Sequence, residues 1–289
     1  MRRPSHLALP EGEVHLWWSD PGETDDPDLD ERARRVLGGE EVARMERMRF
    51  EKGRRLFLVS HLLVRTALSH YSDRNPADWR FVRGAHGKPS LAPEMGQPPL
   101  KFNLAHTAGL AVVGVTRDAE IGVDVERKDR SVKARELMDR FFAPEEAAEL
   151  GVLPPDMLRD RFFLTWTLKE AYLKALGLGL AQPLGSFALR FESPGRSGGV
   201  RPSGAVPLRI RFSGLDLPAS FGPRFVLVAP RLPFVAALCV FSDRPGDLSV
   251  RCCGPAPPGD AAPLPCEAVG LSDGIGLSSP AAWPGPVAS

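Results

Sequence analysis

The stretch Ile121-Gly-Val-Asp-Val-Glu126 places two acids one residue apart in an otherwise apolar run. Strand alternation puts Ile121, Val123 and Val125 on one face, and Gly122, Asp124 and Glu126 on the other. The two carboxylates then stand about 7 Å apart along one strand and repel each other. A hard cation such as Mg2+ relieves that repulsion and accepts carboxylate oxygens. Gly122 leaves room on the same face for a phosphate or for another stretch of backbone. The pattern also fits an exposed strand end whose acids face water, and alone it does not separate the two readings.

A second stretch, Trp166-Thr-Leu-Lys-Glu-Ala-Tyr-Leu-Lys174, has helical spacing. Trp166, Glu170 and Lys174 recur every four residues and share a face. Glu170 is thus a candidate third carboxylate, with Lys174 beside it to neutralise phosphate or steady the acid. Lys169 points about a quarter turn away. A plain surface Glu–Lys pair has the same spacing. Basic chemistry is available at His86-Gly-Lys-Pro89 and Phe102-Asn-Leu-Ala-His-Thr107. Lys88 follows a glycine that permits a tight approach, and it can bring charge to a phosphate. His106 at a strand end could donate to a phosphate oxygen or act as a base. Arg49, Lys52, Arg54, Arg55 and Arg65 form a further basic zone, although such residues often only face solvent.

These residues need elements to hold them. Val14, Leu16 and Trp18 alternate as a first strand. Charged helical sequence runs from about Glu40 to Phe50. A stronger helix follows from about Arg54 to Tyr71, with Gly53 separating the two. Leu100, Phe102 and Leu104 have strand period, and residues 111–115 and 121–126 continue it. Pro144 and Glu145 mark a helix start. Residues 160–176 read as a helix ended by Gly177. Strands are expected near 187–191, 208–212, 225–229 and 234–241. The fold class is therefore α/β (α+β), with two similar-sized halves in one chain. The expected boundaries are 1–119 for the first half and 120–242 for the second, which carries most of the metal site. Residues 243–289 are rich in proline, glycine, alanine and serine, and are expected to be a disordered, dispensable tail.

Composition narrows the function classes. The 289 residues carry 37 basic and 36 acidic side chains, which argues against a general nucleic-acid coat. No apolar run is long enough to span a bilayer, and the first residues lack a signal-peptide core. A cytoplasmic protein without a membrane or nucleic-acid partner is expected. Cys239 sits in an apolar run, and the four cysteines do not have zinc spacing. Phosphate-loop, dinucleotide, zinc-protease and hydrolase-elbow motifs are absent.

Taken in order, the four motifs resemble those of the 4′-phosphopantetheinyl transferases of the large, two-half (pseudo-dimeric) type. The likeness spans roughly residues 12 to 241, and Glu126 and Glu170 are 44 residues apart, a spacing typical of that family. The resemblance implies Mg2+ held by Asp124, Glu126 and Glu170, with Lys174 as the catalytic-helix lysine and Lys169 before the third acid. It implies coenzyme A as donor, contacted by Lys88 and His106, with Arg49 and Arg54 toward the 3′-phosphate. The family's usual serine before the histidine is Ala105 here, which puts one hydroxyl contact in doubt. The partner implied is an apo acyl or peptidyl carrier protein, docking near part of 127–142. The expected reaction moves the 4′-phosphopantetheine arm to a carrier serine and releases 3′,5′-ADP, with Glu170 or a metal-bound water taking the serine proton. A magnesium-dependent phosphodiester hydrolase and a silent coenzyme A-binding relative are the competing readings. A monomer is expected, because both halves of the cleft lie in one chain.

Overall fold

The computed structural model describes residues 6–22, 27–117, 119–192, 208–213, 222–242, 248–255, 267–271 and 275–278. In chain order the elements are β1 (Glu13–Ser19), α1 (Leu29–Val36), α2 (Gly39–Glu46), α3 (Glu51–Ser69), β2 (Phe81–Arg83), β3 (Pro89–Leu91), β4 (Leu100–Thr107), β5 (Leu110–Arg117) and β6 (Glu120–Arg127). They continue with α4 (Ala134–Phe141), α5 (Pro144–Gly151), α6 (Pro155–Leu176), β7 (Ala188–Glu192), β8 (Leu208–Ser213), β9 (Arg224–Ala229), β10 (Phe234–Phe241), β11 (Leu248–Pro255), β12 (Glu267–Leu271) and β13 (Ile275–Ser278).

Two sheets carry the architecture. One has the order β13-β11-β1-β5-β4 and the other β6-β10-β9-β12-β8-β7, with β2 and β3 as a separate hairpin. The sheets pack through one apolar layer. Val14, Leu16 and Trp18 from β1 meet Ile121, Val123 and Val125 from β6 and Ala236, Leu238 and Val240 from β10. The outer face of the first sheet, with Trp17, Ala111, Val113 and Val115, is covered by Leu63, Val64, Ala67 and Leu68 of α3. The outer face of the second, with Phe225, Leu227, Val235 and Ala237, is covered by Leu164, Leu168, Ala171 and Tyr172 of α6. This is the expected α/β arrangement in two halves, a helix on the outside of each of two face-to-face sheets. Strands buried on both faces, such as β1 and β10, follow from that layering and show up as near-continuous apolar runs. Among the described residues, no helix is long and apolar enough to cross a membrane.

Two expectations are corrected. The break between the early helices falls at residues 47–50, and Gly53 lies inside α3. Its helical cost is small enough for the surrounding helix formers to carry it. The second correction concerns the tail, of which 248–255 is strand β11. It pairs in parallel with β1, from Glu13 opposite Ser249 to Trp18 opposite Pro255. Leu248, Val250 and Cys252 alternate into the layer between the sheets, and the Arg251 guanidinium stands 2.7 Å from the buried carboxylate of Glu13. The proline and glycine on either side mask this short period-2 signal. β13 adds to β11 in parallel, and β12 pairs with β9 and β8. The rest of 243–289 lies outside the described residues.

The tail is therefore expected to stabilise the fold. Deleting residues 243–289 uncovers β1 and removes the buried side chains of Leu248, Val250, Cys252 and Cys253, a loss on the order of 5 kcal/mol. The thermal midpoint should fall by on the order of 10 °C, measured by scanning calorimetry against the full chain. An unchanged midpoint would show that β11 adds nothing.

Candidate active site

The site begins with a missing side chain. A Cβ at Gly122 would lie 2.0 Å from the carbonyl oxygen of Ala171 and 2.2 Å from the amide nitrogen of Ala175. The α6 backbone thus rests directly on β6, over Ala171 and Ala175, which are themselves small and buried. The room that glycine leaves on this face is filled by a helix. Asp124 and Glu126 follow on the same face of β6, and Glu170 and Lys174 come from the facing helix. The Asn103 side-chain oxygen accepts the Val123 N–H at 2.8 Å. That bond joins β4 and β6, the edge strands of the two sheets, so the site sits at their seam. The end of α6 is fixed by Gly177, at φ 69°, whose N–H donates to the Leu173 and Lys174 carbonyls.

Asp124 is buried, and its Oδ1 accepts from the Lys174 ammonium at 2.6 Å. Its Oδ2 is buried with no hydrogen-bond partner. Glu126 pairs with Arg130 at 3.1 Å. Burial and the Asp124 charge raise the Glu126 carboxyl above its ordinary range, against the pull of Arg130. The Glu170 carboxyl is raised for the same two reasons, burial first and Asp124 second, with Lys174 opposing. Among the described residues, however, no three His, Cys, Asp or Glu side chains form a group that could hold a metal ion. The acids share one electrostatic neighbourhood, but the counter-charges standing at two of them are Lys174 and Arg130. The donor chemistry still fits a hard cation: three carboxylates, mutual repulsion and an orphaned buried oxygen.

A cleft of 960 Å3 is lined by Arg44, His61, Arg65, Arg80, Arg83 and His106, with Glu40, Glu41 and Asp78 also in its wall. Arg65 ion-pairs with Glu41, donates to the Trp79 carbonyl at 2.9 Å and stacks 4.7 Å over Phe81. Burial opposes the charge on Glu41, but His61, 2.6 Å away, and Arg65 outweigh it and hold its pKa at about 2. His106 stands at the cleft and also feels the acid site. Its pKa is lowered by partial burial first, then by the positive charge of Lys174, His61 and Arg44.

The family model described as the 4′-phosphopantetheinyl transferase superfamily matches residues 120–214, and its N-terminal counterpart matches residues 27–117. Over 180 residues the chain is 36% identical to the 4′-phosphopantetheinyl transferase HetI of Nostoc sp., covering 62% of this chain and 75% of that one. It is 31% identical over 159 residues to the 4′-phosphopantetheinyl transferase Sfp of Bacillus subtilis, covering 55% of this chain and 68% of that one. The chain belongs to the 4′-phosphopantetheinyl transferase superfamily. It is a transferase of that family. A solved holo-[acyl-carrier-protein] synthase of Thermotoga maritima aligns with a TM-score of 0.29 at 24% identity, over 44% of this chain and 66% of that one, too remote to carry weight.

Within this transferase, several expected contacts are placed differently. Lys169 is fully buried, paired with Glu146 at 2.7 Å, and donates to the Leu184 and Phe187 carbonyls at 2.8 and 2.6 Å. It faces α5 and β7, not the cleft, because it lies a quarter turn from Glu170 on a helix buried on that side. Arg54 is tied to Asp30 and Glu51, since its part of α3 faces α1. Arg49 is exposed on the segment before α3. Neither lines the cleft. The basic residues that do come from α1 (Arg35), from α2, from the i, i+4 pair His61 and Arg65, and from around β2. That pair was visible as helical spacing, but sequence does not say which side of α3 opens into a cavity. Lys88 donates to Glu120 at 2.9 Å and to the Ala175 carbonyl at 2.8 Å. It therefore caps the last turn of α6 and keeps one N–H for a phosphate. Ala105 belongs to the apolar layer between the sheets, so this position faces away from the cleft.

Gly122→Ala should separate β6 from α6. The collision is with backbone, so the cost should be at least about 3 kcal/mol, read as a loss of denaturant midpoint and of activity together. A near-normal midpoint would mean that α6 is not seated on Gly122. Glu170→Gln tests the electrostatics. With its pKa raised on folding, Glu170 binds its proton more tightly in the folded state, so stability falls as pH rises above the ordinary carboxylate value. The metal-free Gln variant should melt about 2–4 °C above wild type near pH 7.5, with the gap closing toward about pH 4. A variant that melts lower at neutral pH would contradict this.

Proposed function

We propose that this transferase moves 4′-phosphopantetheine from coenzyme A to a serine of an acyl or peptidyl carrier protein. What supports the proposal is the position of β4, whose His106 lines the cationic cleft while its Asn103 bonds to Val123 of the acid-bearing strand β6. A ligand with phosphates at both ends of its nucleotide suits that continuity. One end meets the arginines of the cleft, and its pyrophosphate reaches Lys174 and the acids. Neutral substrates would make little use of the arginines that remain in the cleft wall beyond those paired with Glu41.

The chemistry divides among the residues. Arg44, Arg80 and Arg83, with Arg65 held by Glu41, bind and orient the 3′-phosphate end. His106 and Lys174 place donors and positive charge where negative charge develops on the pyrophosphate. The carrier serine oxygen bonds to the β-phosphorus, and the bond to the departing 3′,5′-ADP breaks. Glu170, with its raised affinity for a proton, is the group suited to take the serine proton. Asp124, Glu126 and Glu170 are the residues that would hold Mg2+, which when bound supplies charge neutralisation for the pyrophosphate. Glu170 cannot be fully engaged as ligand and as base at the same instant, so one of the two contacts must loosen during turnover.

The test is incubation of the full chain with coenzyme A, Mg2+ and a panel of purified apo-carriers, read by intact mass. At least one carrier should gain a single 4′-phosphopantetheine. Asp124→Asn should slow that gain by roughly two orders of magnitude or more while circular dichroism remains unchanged. Hydrolysis of simple phosphodiesters without carrier labelling would overturn the proposal in favour of a hydrolase. Coenzyme A binding with no transfer to a competent carrier would overturn it in favour of a silent relative.

A further inference from the structure

Arg130 is not a loose surface cation. It follows Glu126 by four residues on the segment leaving β6, and its guanidinium contacts the Glu126 carboxylate at 3.1 Å through Nη2 and 3.2 Å through Nε. The same guanidinium lies 5.2 Å from the ring centre of Phe163, a fully buried residue of α6. Its backbone is held as well. Arg159 of α6 donates to the Arg130 carbonyl at 3.2 Å and to the Lys128 carbonyl at 2.6 Å, and Lys128 pairs with Asp160 at 2.6 Å. The head group is thus held by Glu126 of β6, and its ring contact and main chain by the helix that carries Glu170. Little side-chain entropy remains to be lost in pairing, so this ion pair is better formed than an ordinary exposed one.

Both contacts fall on one oxygen, Oε2, so that oxygen is committed to the guanidinium, and the Arg130 charge opposes a cation at the carboxylate as a whole. We infer that Arg130 is a built-in competitor for the divalent cation at Glu126, and so a residue that sets how tightly the acid site holds that cation. The inference rests on the reading of Asp124, Glu126 and Glu170 as the cation-binding acids. Cation binding at Oε2 must displace Arg130, and binding at the other oxygen must work against its charge. Arg130 is 43% exposed and so has water to receive its charge once displaced, whereas Glu126, at 14%, cannot turn away to solvent. Lys174 makes the analogous contact at Asp124, but it is also placed to meet substrate, so only Arg130 isolates the competition.

The experiment uses Mn2+ alone as probe on the full chain, with free Mn2+ counted by electron paramagnetic resonance and no substrate present. Arg130→Gln should lower the Mn2+ dissociation constant about two- to fivefold, the worth of one partly exposed ion pair. Arg130→Lys, which keeps a charge able to pair, should stay within about twofold of wild type. Arg127→Gln is the control for general charge, because Arg127 pairs with Asp129 and not with the acids; it should leave the constant nearly unchanged. In a Glu126→Gln background the effect of Arg130→Gln should vanish, as a direct contact requires. An unchanged constant in Arg130→Gln, or an equal shift in Arg127→Gln, overturns the inference. Asp124→Asn separates the two levels. If it weakens Mn2+ binding while Arg130→Gln does nothing, only the competitor role falls. If it leaves Mn2+ binding intact, the cation-site reading falls with it.

Discussion

The site depends on one close approach, the α6 backbone lying on β6 over Gly122. A side chain at that position would hold strand and helix apart by the width of a methyl group or more. Asp124 and Lys174 would then be out of reach of each other, and Glu170 would lose the Asp124 charge that helps raise its pKa. The apolar face of β6 strengthens the constraint from the other side. Ile121, Val123 and Val125 are packed into the layer between the sheets, so the strand cannot slip toward solvent to relieve a clash with the helix. A one-residue shift would put Val123 and Val125 against α6 and both acids into the apolar layer.

Acids gathered in this way work against folding. Burial disfavours the charged form of each, and each raises the pKa of its neighbours. The chain offsets part of the cost with fixed cations, Lys174 at Asp124 and Arg130 at Glu126, and leaves Asp124 Oδ2 without a partner. A core chosen only for stability would hold fewer charges at this seam. The buried pair of Lys169 and Glu146 shows the contrast one helical step away. There every donor and acceptor has a protein partner, including the Ala143 and Leu189 amides on Glu146, and nothing remains to bind a ligand. Adjacent residues of one helix thus take opposite roles, set by which face meets solvent-filled space.

That contrast also explains what sequence could reveal. Strand alternation in 121–126 placed Asp124 and Glu126 on one face, and helical spacing in 166–174 placed Glu170 with Lys174. Both patterns are local and survive folding unchanged. Lys169 had the composition of a phosphate contact and became a buried anchor, because its role depends on α5 and β7 packing over it. Arg54 and Arg65 look equivalent in sequence on α3, yet one meets α1 and the other opens into the cleft. Periodicity reports that a residue faces away from one surface, not what fills the space beyond. β11 escaped notice for a related reason: three alternating apolar residues are a weak signal until a free edge such as that of β1 receives them.

The seam between the sheets has one more consequence. β4 brings His106 and Asn103 from the first sheet, the β2–β3 turn brings Lys88, and β6 and α6 bring the acids of the second half. Asn103 and Lys88 each tie the halves together, one to the Val123 amide and the other to Glu120 and the Ala175 carbonyl. Relative movement of the halves would stretch these bonds before it reached the apolar layer, because polar contacts are short and directional while apolar packing tolerates small shifts. The cationic cleft belongs to the first half and the acids to the second, so their distance is set by these cross-ties as much as by either half alone. Joining both halves in one chain sets that distance through these cross-ties, and it allows each half to specialise. The first retains arginines and histidines around an open cleft, and the second retains carboxylates beneath a long helix. Two identical halves would have to duplicate both sets, and with them the desolvation cost of every buried charge.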